Sequence, residues 1–123
     1  MLGSTVTIAR ALADPLRLRL LAVLRRRQLC ASQLVVFAGE PPSTVSGHLA
    51  ILRAAGLVSA RREGRWLWYR LAENPSREAA AALQWVFRAL RGDPQVRRDR
   101  QRIRHVQRRH PQQTARVYLR SSF

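Results

Sequence analysis

The chain has 123 residues and carries 23 basic against 7 acidic side chains, a formal net charge of +16; this length fits one domain with a short extension. This excess of positive charge predicts a polyanionic partner. Every basic residue is arginine, whose guanidinium can form two parallel hydrogen bonds to phosphate, although a bias in genome base composition would explain the absence of lysine equally well. The acidic residues are scattered, which argues against catalysis by paired carboxylates. Cys30 is the single cysteine, so no internal disulfide is possible. No run approaches the roughly 18 apolar residues of a membrane span, which argues against a membrane segment.

Two helices are predicted in the first quarter of the chain. The first covers about residues 4 to 13 and is built from small and apolar side chains. Asp14 and Pro15 then supply an N-cap acceptor and a first-turn proline, which start a second helix running to about residue 26. Its apolar residues lie on both sides, so we predict that it occupies the middle of the core, with Arg17, Arg19 and Arg25 projecting out between them.

The third and fourth predicted helices are joined by a tight turn. The third covers residues 31 to 38 and ends at Gly39, and the turn at residues 40 to 42 leads into the fourth. Val45, Leu49 and Leu52 recur at the spacing of one helix face, and small hydrogen-bonding residues occupy the opposite face. Two helices joined in this way form a helix-turn-helix, whose second helix can enter a major groove.

A basic hairpin follows. Gly56 is a predicted C-terminal cap, and residues 57 to 62 and 65 to 71 alternate around a turn at Glu63 and Gly64. The arginines at the tip are placed to meet phosphates or a neighbouring minor groove. In the second strand, period two predicts that Leu67, Tyr69 and Leu71 are buried and that Trp66, Trp68 and Arg70 are half-exposed.

The last part of the chain contains a fifth helix and an arginine-rich extension. Residues 74 to 76 cap the fifth helix, whose apolar face is longer than one small core needs, so we predict a two-fold dimer through helices one and five. We divide the chain into a domain at residues 1–92 and a tail at residues 93–123. Gly92, Asp93 and Pro94 form a break and an N-cap, but like charges four apart weaken an isolated helix, which leaves helix and disorder open for the tail.

Four separated motifs, ALADPLRLRLLAVL, QLCASQL, STVSGHLAILRAAGLV and RREGRWLWYRL, resemble the ArsR/SmtB family of bacterial winged-helix repressors over about residues 8 to 91. The resemblance implies a mainly α winged helix-turn-helix fold with a β-hairpin wing. It also implies a homodimer that binds double-stranded operator DNA at an imperfect palindrome and leaves it when an inducer, usually a metal or metalloid ion, binds. The candidate DNA-binding residues are Ser43, Thr44, Ser46, Gly47, His48, Arg53, Arg61, Arg62 and Arg65.

The chain departs from the family at several of these positions. Pro41 and Pro42 stand where members often have Ser and Gln, and Gly47 where they often have a larger polar residue. Gly47 offers no side chain to a base, so we expect readout to depend on its neighbours and affinity to depend more on arginine contacts to phosphate. His48 matches a family histidine, and we interpret it as a packed or phosphate-contacting residue rather than a metal ligand.

The inducer site of arsenic-sensing members, a thiolate cluster in an ELCVCDL segment, is degenerate here. Cys30 matches the first thiol, but Ser32 replaces the second and Gln33 replaces the acid. Arsenite, antimonite and cadmium prefer several thiolates, which one cysteine cannot supply. Cys30 is therefore a lone ligand, a redox-sensing thiol, or a small half-buried hydrophobe.

Zinc is the remaining candidate inducer. Zinc-sensing relatives use acidic and histidine ligands on the fifth helix, where this chain has Glu78 and no histidine. Asp99, His105 and His110 form a second candidate set, but arginines surround them, and we predict that they are solvated.

Three other functions stay open beside an inducible repressor. They are a constitutive repressor, a repressor that responds to oxidation of Cys30, and an architectural protein that binds DNA or RNA without sequence preference. We expect no enzyme, because no nucleophile has a base beside it and no glycine-rich phosphate loop is present. We also expect a cytoplasmic location and no membrane contact.

Overall fold

The computed structural model describes residues 1–109, which form six helices and one three-stranded antiparallel sheet. None of the helices in this part of the chain is long and apolar enough to cross a bilayer. The elements are α1 (Leu2–Leu12), α2 (Pro15–Leu24), β1 (Leu29–Cys30), α3 (Ala31–Ala38), α4 (Pro42–Ala54), β2 (Val58–Glu63), β3 (Trp66–Leu71), α5 (Arg77–Ala89) and α6 (Pro94–Arg108).

Side-chain caps start three of the helices at the residues that the sequence indicates. Asp14 accepts a hydrogen bond from the N–H of Arg17 at 3.1 Å. Ser76 accepts one from the N–H of Ala79 at 3.1 Å. Asp93 accepts from the first turn of α6. Each cap satisfies amides that have no partner inside the helix.

Helix α2 lies in the core, as its sequence predicts. Leu20 and Leu21 are fully buried, and α2 contacts α1, α3, α4, α6 and β3. Burying a leucine side chain contributes about 1.5 to 3 kcal/mol, so this helix supplies a large part of the stability. The prediction that its arginines project into solvent is wrong for Arg17 and Arg19, which are half-buried. Arg17 donates to the carbonyl of Ala11 at 2.7 Å, because the last carbonyls of α1 lack partners within their own helix.

The sheet differs in three ways from the sequence-based prediction. The strand β1 was not predicted; Leu29 pairs with Tyr69, which gives the order β1-β3-β2. The turn lies one residue later than predicted, with Gly64 at φ +60°. Of the three residues expected to be buried in β3, only Tyr69 is; Leu67 and Leu71 are half-buried. The reason for Leu67 is that β1 has two residues and pairs with β3 only at Trp68 and Tyr69.

Helix α6 packs along α2 and α3. Asp99, Ile103 and Val106 recur at helical spacing and are at most 5% exposed. The expectation that Asp99 is solvated is therefore wrong; its carboxylate pairs with Arg19, Nε to Oδ2 at 2.8 Å and Nη2 to Oδ1 at 3.0 Å. These tertiary contacts offset the repulsion between like charges along the helix. Residues 94–108 are thus helical, while the division of the chain at residue 92 stays a prediction.

Candidate nucleic-acid interface

Helix α4 presents a small polar surface above a firmly buried stripe. Val45, Leu49 and Leu52 are at most 2% exposed, and they fix the rotation of the helix against the core. The candidate residues on the other side, Ser43, Thr44, Ser46 and Gly47, are all exposed. The structure therefore brings four of the nine candidates together on one accessible helical face, near the N-terminus of α4.

The N-terminus of α4 is itself suited to anions. Its cap residue is Pro41, which supplies no side-chain hydrogen bond, and Pro42 occupies the first turn. The N–H of Thr44 donates to the Pro41 carbonyl at 3.0 Å and Pro42 has no N–H, so the Ser43 amide and the helix dipole are what favour a negatively charged group at this end. This feature was missed in the sequence, although the Pro-Pro pair, with no Ser, Thr, Asp or Asn at the cap, signals it.

His48 joins α4 to the start of α2 rather than extending the exposed face. Its side chain is 19% exposed, and Nδ1 lies 3.1 Å from Nη1 of Arg17 and 4.0 Å from Oδ1 of Asp14. Burial raises the pKa of Asp14, but the hydrogen bond from Arg17 N–H and the charges of His48 and Arg17 outweigh burial and lower it below its usual value. His48 thus belongs to a polar contact between two helices, which agrees with its interpretation as a packed residue.

Arg53 lies at the opposite end of α4 from the polar residues. It is exposed in the last turn, and nine residues of helix place it about 13 Å along the axis from Thr44. Its charge acts on Tyr69 in β3: burial raises the pKa of the Tyr69 phenol, and Arg53 lowers it by a smaller amount. Arg53 therefore faces the sheet end of α4, away from the N-terminal group of candidates.

The hairpin holds the remaining candidates at its tip, and all three are exposed. Arg61 forms an ion pair with Glu63, Nη1 to Oε2 at 3.0 Å, whereas Arg62 points to the other face of β2, as period two requires. Arg65 lies over the Trp66 ring, with its guanidinium 5.8 Å from the ring centroid. Within residues 1–109, Arg62 and Arg65 have no acidic partner, so they are the tip residues best placed to contact phosphate.

The proposed inducer ligand Cys30 is buried, with 1% of its surface exposed, and not half-buried as one interpretation had it. Its Sγ lies 3.1 Å from Oγ of Ser32, and its N–H donates to Oε1 of Gln33 at 2.9 Å. One thiol beside an alcohol and an amide does not match the several thiolates that a soft ion prefers.

The other candidate ligands are not brought together. Asp99 is paired with Arg19, His105 is exposed, and His110 lies outside the described residues. Glu78 is exposed in the first turn of α5. Across residues 1–109 no three or more His, Cys, Asp or Glu side chains are grouped as a metal site requires.

The order α1-α2-β1-α3-α4-β2-β3-α5, with α3 and α4 joined by a short turn and a hairpin after α4, defines a winged helix-turn-helix. Residues 14–60 match the model of the arsR family of bacterial regulatory proteins. A solution structure of a homodimeric winged helix-turn-helix DNA-binding domain from Mycobacterium bovis is similar, with a TM-score of 0.63 and 28% identity over 76% of this chain and 83% of that one.

Curated relatives agree with this fold assignment. The transcriptional regulator KmtR of Mycobacterium tuberculosis is 37% identical over 93 residues, which cover 76% of this chain and 70% of KmtR. The transcriptional repressor SmtB of the same organism is 42% identical over 74 residues, 60% of this chain. The chain belongs to the ArsR family of bacterial regulatory proteins. It spans about half the length of SmtB, of which the match covers 55%.

Proposed function

We propose that this chain is a transcriptional repressor that binds double-stranded operator DNA sequence-specifically as a homodimer. The observation that carries the proposal is the face of α4, where four small polar or side-chain-free residues are exposed directly above a fully buried stripe. Because the buried stripe fixes the rotation of α4, its exposed side chains are held in one orientation toward the base edges, as sequence-specific readout requires.

The geometry suggests how α4 and the wing divide the work. Ser43, Thr44 and Ser46 reach base edges in the major groove with hydroxyl groups that donate and accept hydrogen bonds. The Ser43 amide, together with the helix dipole, binds a phosphate at the N-terminus of α4. The wing adds guanidinium contacts to phosphate, which supply affinity and register but carry no sequence information.

A homodimer through α1 and α5 is supported by apolar residues that the described fold leaves uncovered. Leu2 and Val6 of α1 are 82% and 39% exposed, and Trp85 of α5 is 58% exposed. The two helices contact each other, so these exposed residues lie on neighbouring helices. Such a patch gains stability when a second copy covers it.

Sedimentation of the wild type, Trp85→Glu and Ile51→Glu tests the dimer. Ile51 is 42% exposed on α4 and serves as a control for an added charge on an exposed apolar residue. We expect Trp85→Glu alone to dissociate the protein into monomers. A dimer that survives this change would place the interface elsewhere.

Cys30 is the candidate residue for a response to an inducer. Family resemblance favours a metal or metalloid ion with Cys30 as one ligand, but the described residues of one protomer do not complete a donor set. The burial of Cys30 and its contact with Ser32 favour a second candidate, a repressor whose release from DNA does not require the thiol.

The test is a titration of the protein on a fragment of its own promoter and on a scrambled fragment of equal length. It is repeated with arsenite, antimonite, cadmium, zinc and a thiol oxidant, for the wild type and Cys30→Ser. Release by one ion that is lost in Cys30→Ser supports the metal-responsive form, and release by the oxidant alone supports a redox form. Specific binding that nothing releases supports the constitutive form. Equal affinity for both fragments would contradict the proposal and favour the architectural alternative.

A further inference from the structure

One group of arginines in the described residues has no acidic side chain paired with it, because the acidic residues that form ion pairs do so elsewhere. Asp99 pairs with Arg19, Glu63 with Arg61, and Glu73 with Arg70. The Arg19–Asp99 pair joins α2 to α6, but none of the three pairs includes an arginine from the group between the C-terminal end of α2 and the neighbouring flank of α6. The arginines at this junction, which we call the junction cluster, are Arg25, Arg26, Arg27, Arg100 and Arg104.

The cluster borders a shallow, half-open concavity. Its volume is about 460 Å³, and it is lined by Ala22, Arg25, Arg26, Arg27 and Arg100. This volume is within the range of small-molecule sites, about 300 to 1,000 Å³. Four of the five lining residues are arginine, of which Arg25 also lies over the Phe87 ring, with its guanidinium 4.9 Å from the ring centroid. The concavity therefore suits a dense negative charge.

Arg27 is held in place despite unfavourable surroundings. Burial, followed by the neighbouring charges of Arg104 and Arg100, lowers the pKa of its guanidinium below the usual value. Its Nε donates to Oε1 of Gln107 at 3.2 Å, which orients the side chain. Within residues 1–109 no acidic residue forms an ion pair with Arg26, Arg27, Arg100 or Arg104. An anion in the concavity would relieve this repulsion.

The backbone at Arg26 provides an independent observation. Gly39, Gly56, Gly64 and Gly92 have positive φ angles, as does Arg26 at φ 62°, the one non-glycine residue of this kind in the described chain. A left-handed conformation is strained for a residue with a Cβ, and glycine adopts it freely. The chain thus has an arginine at a position where glycine would be free of backbone strain. Strained residues of this kind are concentrated at functional sites, which suggests that the Arg26 side chain has a function.

We propose that the junction cluster is a phosphate-binding site, separate from α4 and the wing, that takes two or more adjacent phosphate groups. Planar guanidinium groups bind phosphate oxygens with paired hydrogen bonds, and several of them around one concavity match a multiply charged anion. The phosphates come either from a free oligophosphate or from the DNA backbone that flanks the operator. Binding of the free anion does not depend on the proposed repressor function.

The first arm of the test titrates inorganic tripolyphosphate into the full chain by calorimetry at fixed salt. The variants are Arg26→Gly and Arg27→Ala, with Arg98→Ala as the control. Arg98 is exposed on α6, the helix that carries Arg100, but it lies on the other side of the buried residues Asp99 and Ile103. Its substitution removes one positive charge, as the other two substitutions do. We expect saturable binding by the wild type, weakened at least tenfold in Arg26→Gly and Arg27→Ala and less than threefold in Arg98→Ala.

The second arm separates the two sources of phosphate and controls for folding. Without ligand, Arg26→Gly should melt at a higher temperature than the wild type, because glycine removes the backbone strain. A lower melting temperature would show that Arg26 is not strained and would count against its role in the site. If tripolyphosphate does not bind, Arg27→Ala should still reduce the salt slope of binding to a long promoter fragment by about one, with Arg98→Ala unchanged, which assigns the site to DNA. Junction variants that match Arg98→Ala in both arms overturn the proposal. Tripolyphosphate binding by a protein that does not prefer its promoter supports this site and contradicts only the repressor function.

Discussion

The ion pair between Arg19 and Asp99 should be the strongest single attachment of α6 to the rest of the fold. The Asp99 side chain is 2% exposed and accepts two hydrogen bonds from Arg19 and one from Gln95, whose Nε2 lies 2.9 Å from Oδ1. Asp99→Ala leaves the guanidinium with the Phe37 ring, 5.6 Å from its centroid, and no anion. The loss should therefore appear directly in the free energy of unfolding.

The magnitude follows from the burial of the two partners. Removing one partner of a fully buried pair costs about 3 to 5 kcal/mol. The Arg19 side chain is 29% exposed, so water screens the charge that is left behind, and we expect about 2 to 3 kcal/mol. For a domain of this size that loss lowers the melting temperature by roughly 8 to 12 °C.

Thermal and urea unfolding of Asp99→Ala, at one protein concentration, measures this loss. Glu63→Ala is the matched control, because it removes a carboxylate from an exposed pair with Arg61 and should cost less than about 1 kcal/mol. The double variant Arg19→Met/Asp99→Leu should recover most of the loss, since neither charge is then left unpaired. A cost for Asp99→Ala no larger than that of Glu63→Ala would refute this account of α6.

Four further predictions concern α4, the wing and the start of α2. Gly47→Ala should raise the free energy of unfolding by about 0.5 to 1 kcal/mol in a denaturant titration, since a Cβ there meets nothing within 4 Å and alanine favours the helix; a destabilised variant would contradict the open space. Arg65→Ala should weaken binding to all DNA sequences alike and reduce the salt slope by about one, and a selective loss at one base position would show base readout instead. Thr44→Ala should change sequence preference in a selection from random DNA, and a uniform loss would mean that its hydroxyl does not face the bases. The pKa of Asp14 is lower in the folded state than in the unfolded state, so its contribution to stability is present above the unfolded pKa, near 3.9, and is lost as the pH falls through the folded pKa. Asp14→Asn keeps a capping oxygen but does not titrate. The variant should therefore lose less stability than the wild type between pH 5 and pH 2.

The elements with a periodic signal could be predicted from the sequence. The apolar spacing of α4 predicts both its buried stripe and the exposed positions of Thr44 and Gly47, and the structure confirms both. The caps at Asp14 and Asp93 were also predictable, because the chemistry of an N-cap is local to three residues. The resemblance to the ArsR family, carried by motifs from both the helices and the wing, is confirmed by the relatives.

Features that depend on long-range contacts were not predictable in the same way. β1 has two residues, too few to show an alternation, and it exists because Tyr69 and Trp68 offer backbone partners about forty residues away. The burial of Asp99 depends on Arg19, 80 residues earlier in the chain. The helical spacing of Asp99, Ile103 and Val106 is visible in the sequence. Because arginines surround these residues, the sequence-based prediction left the segment as a solvated helix or a disordered tail.

Hydroxyl-radical footprinting of the protein on its own promoter tests the central claim most directly. A homodimer whose two α4 helices enter successive major grooves should protect two half-sites with centres about 34 Å, or roughly 10 base pairs, apart. Thr44→Ala should lose this pattern at salt concentrations where the wild type keeps it. Protection spread evenly along the fragment, the same on scrambled DNA, would contradict a sequence-specific repressor and leave only the charge of the chain to explain its binding.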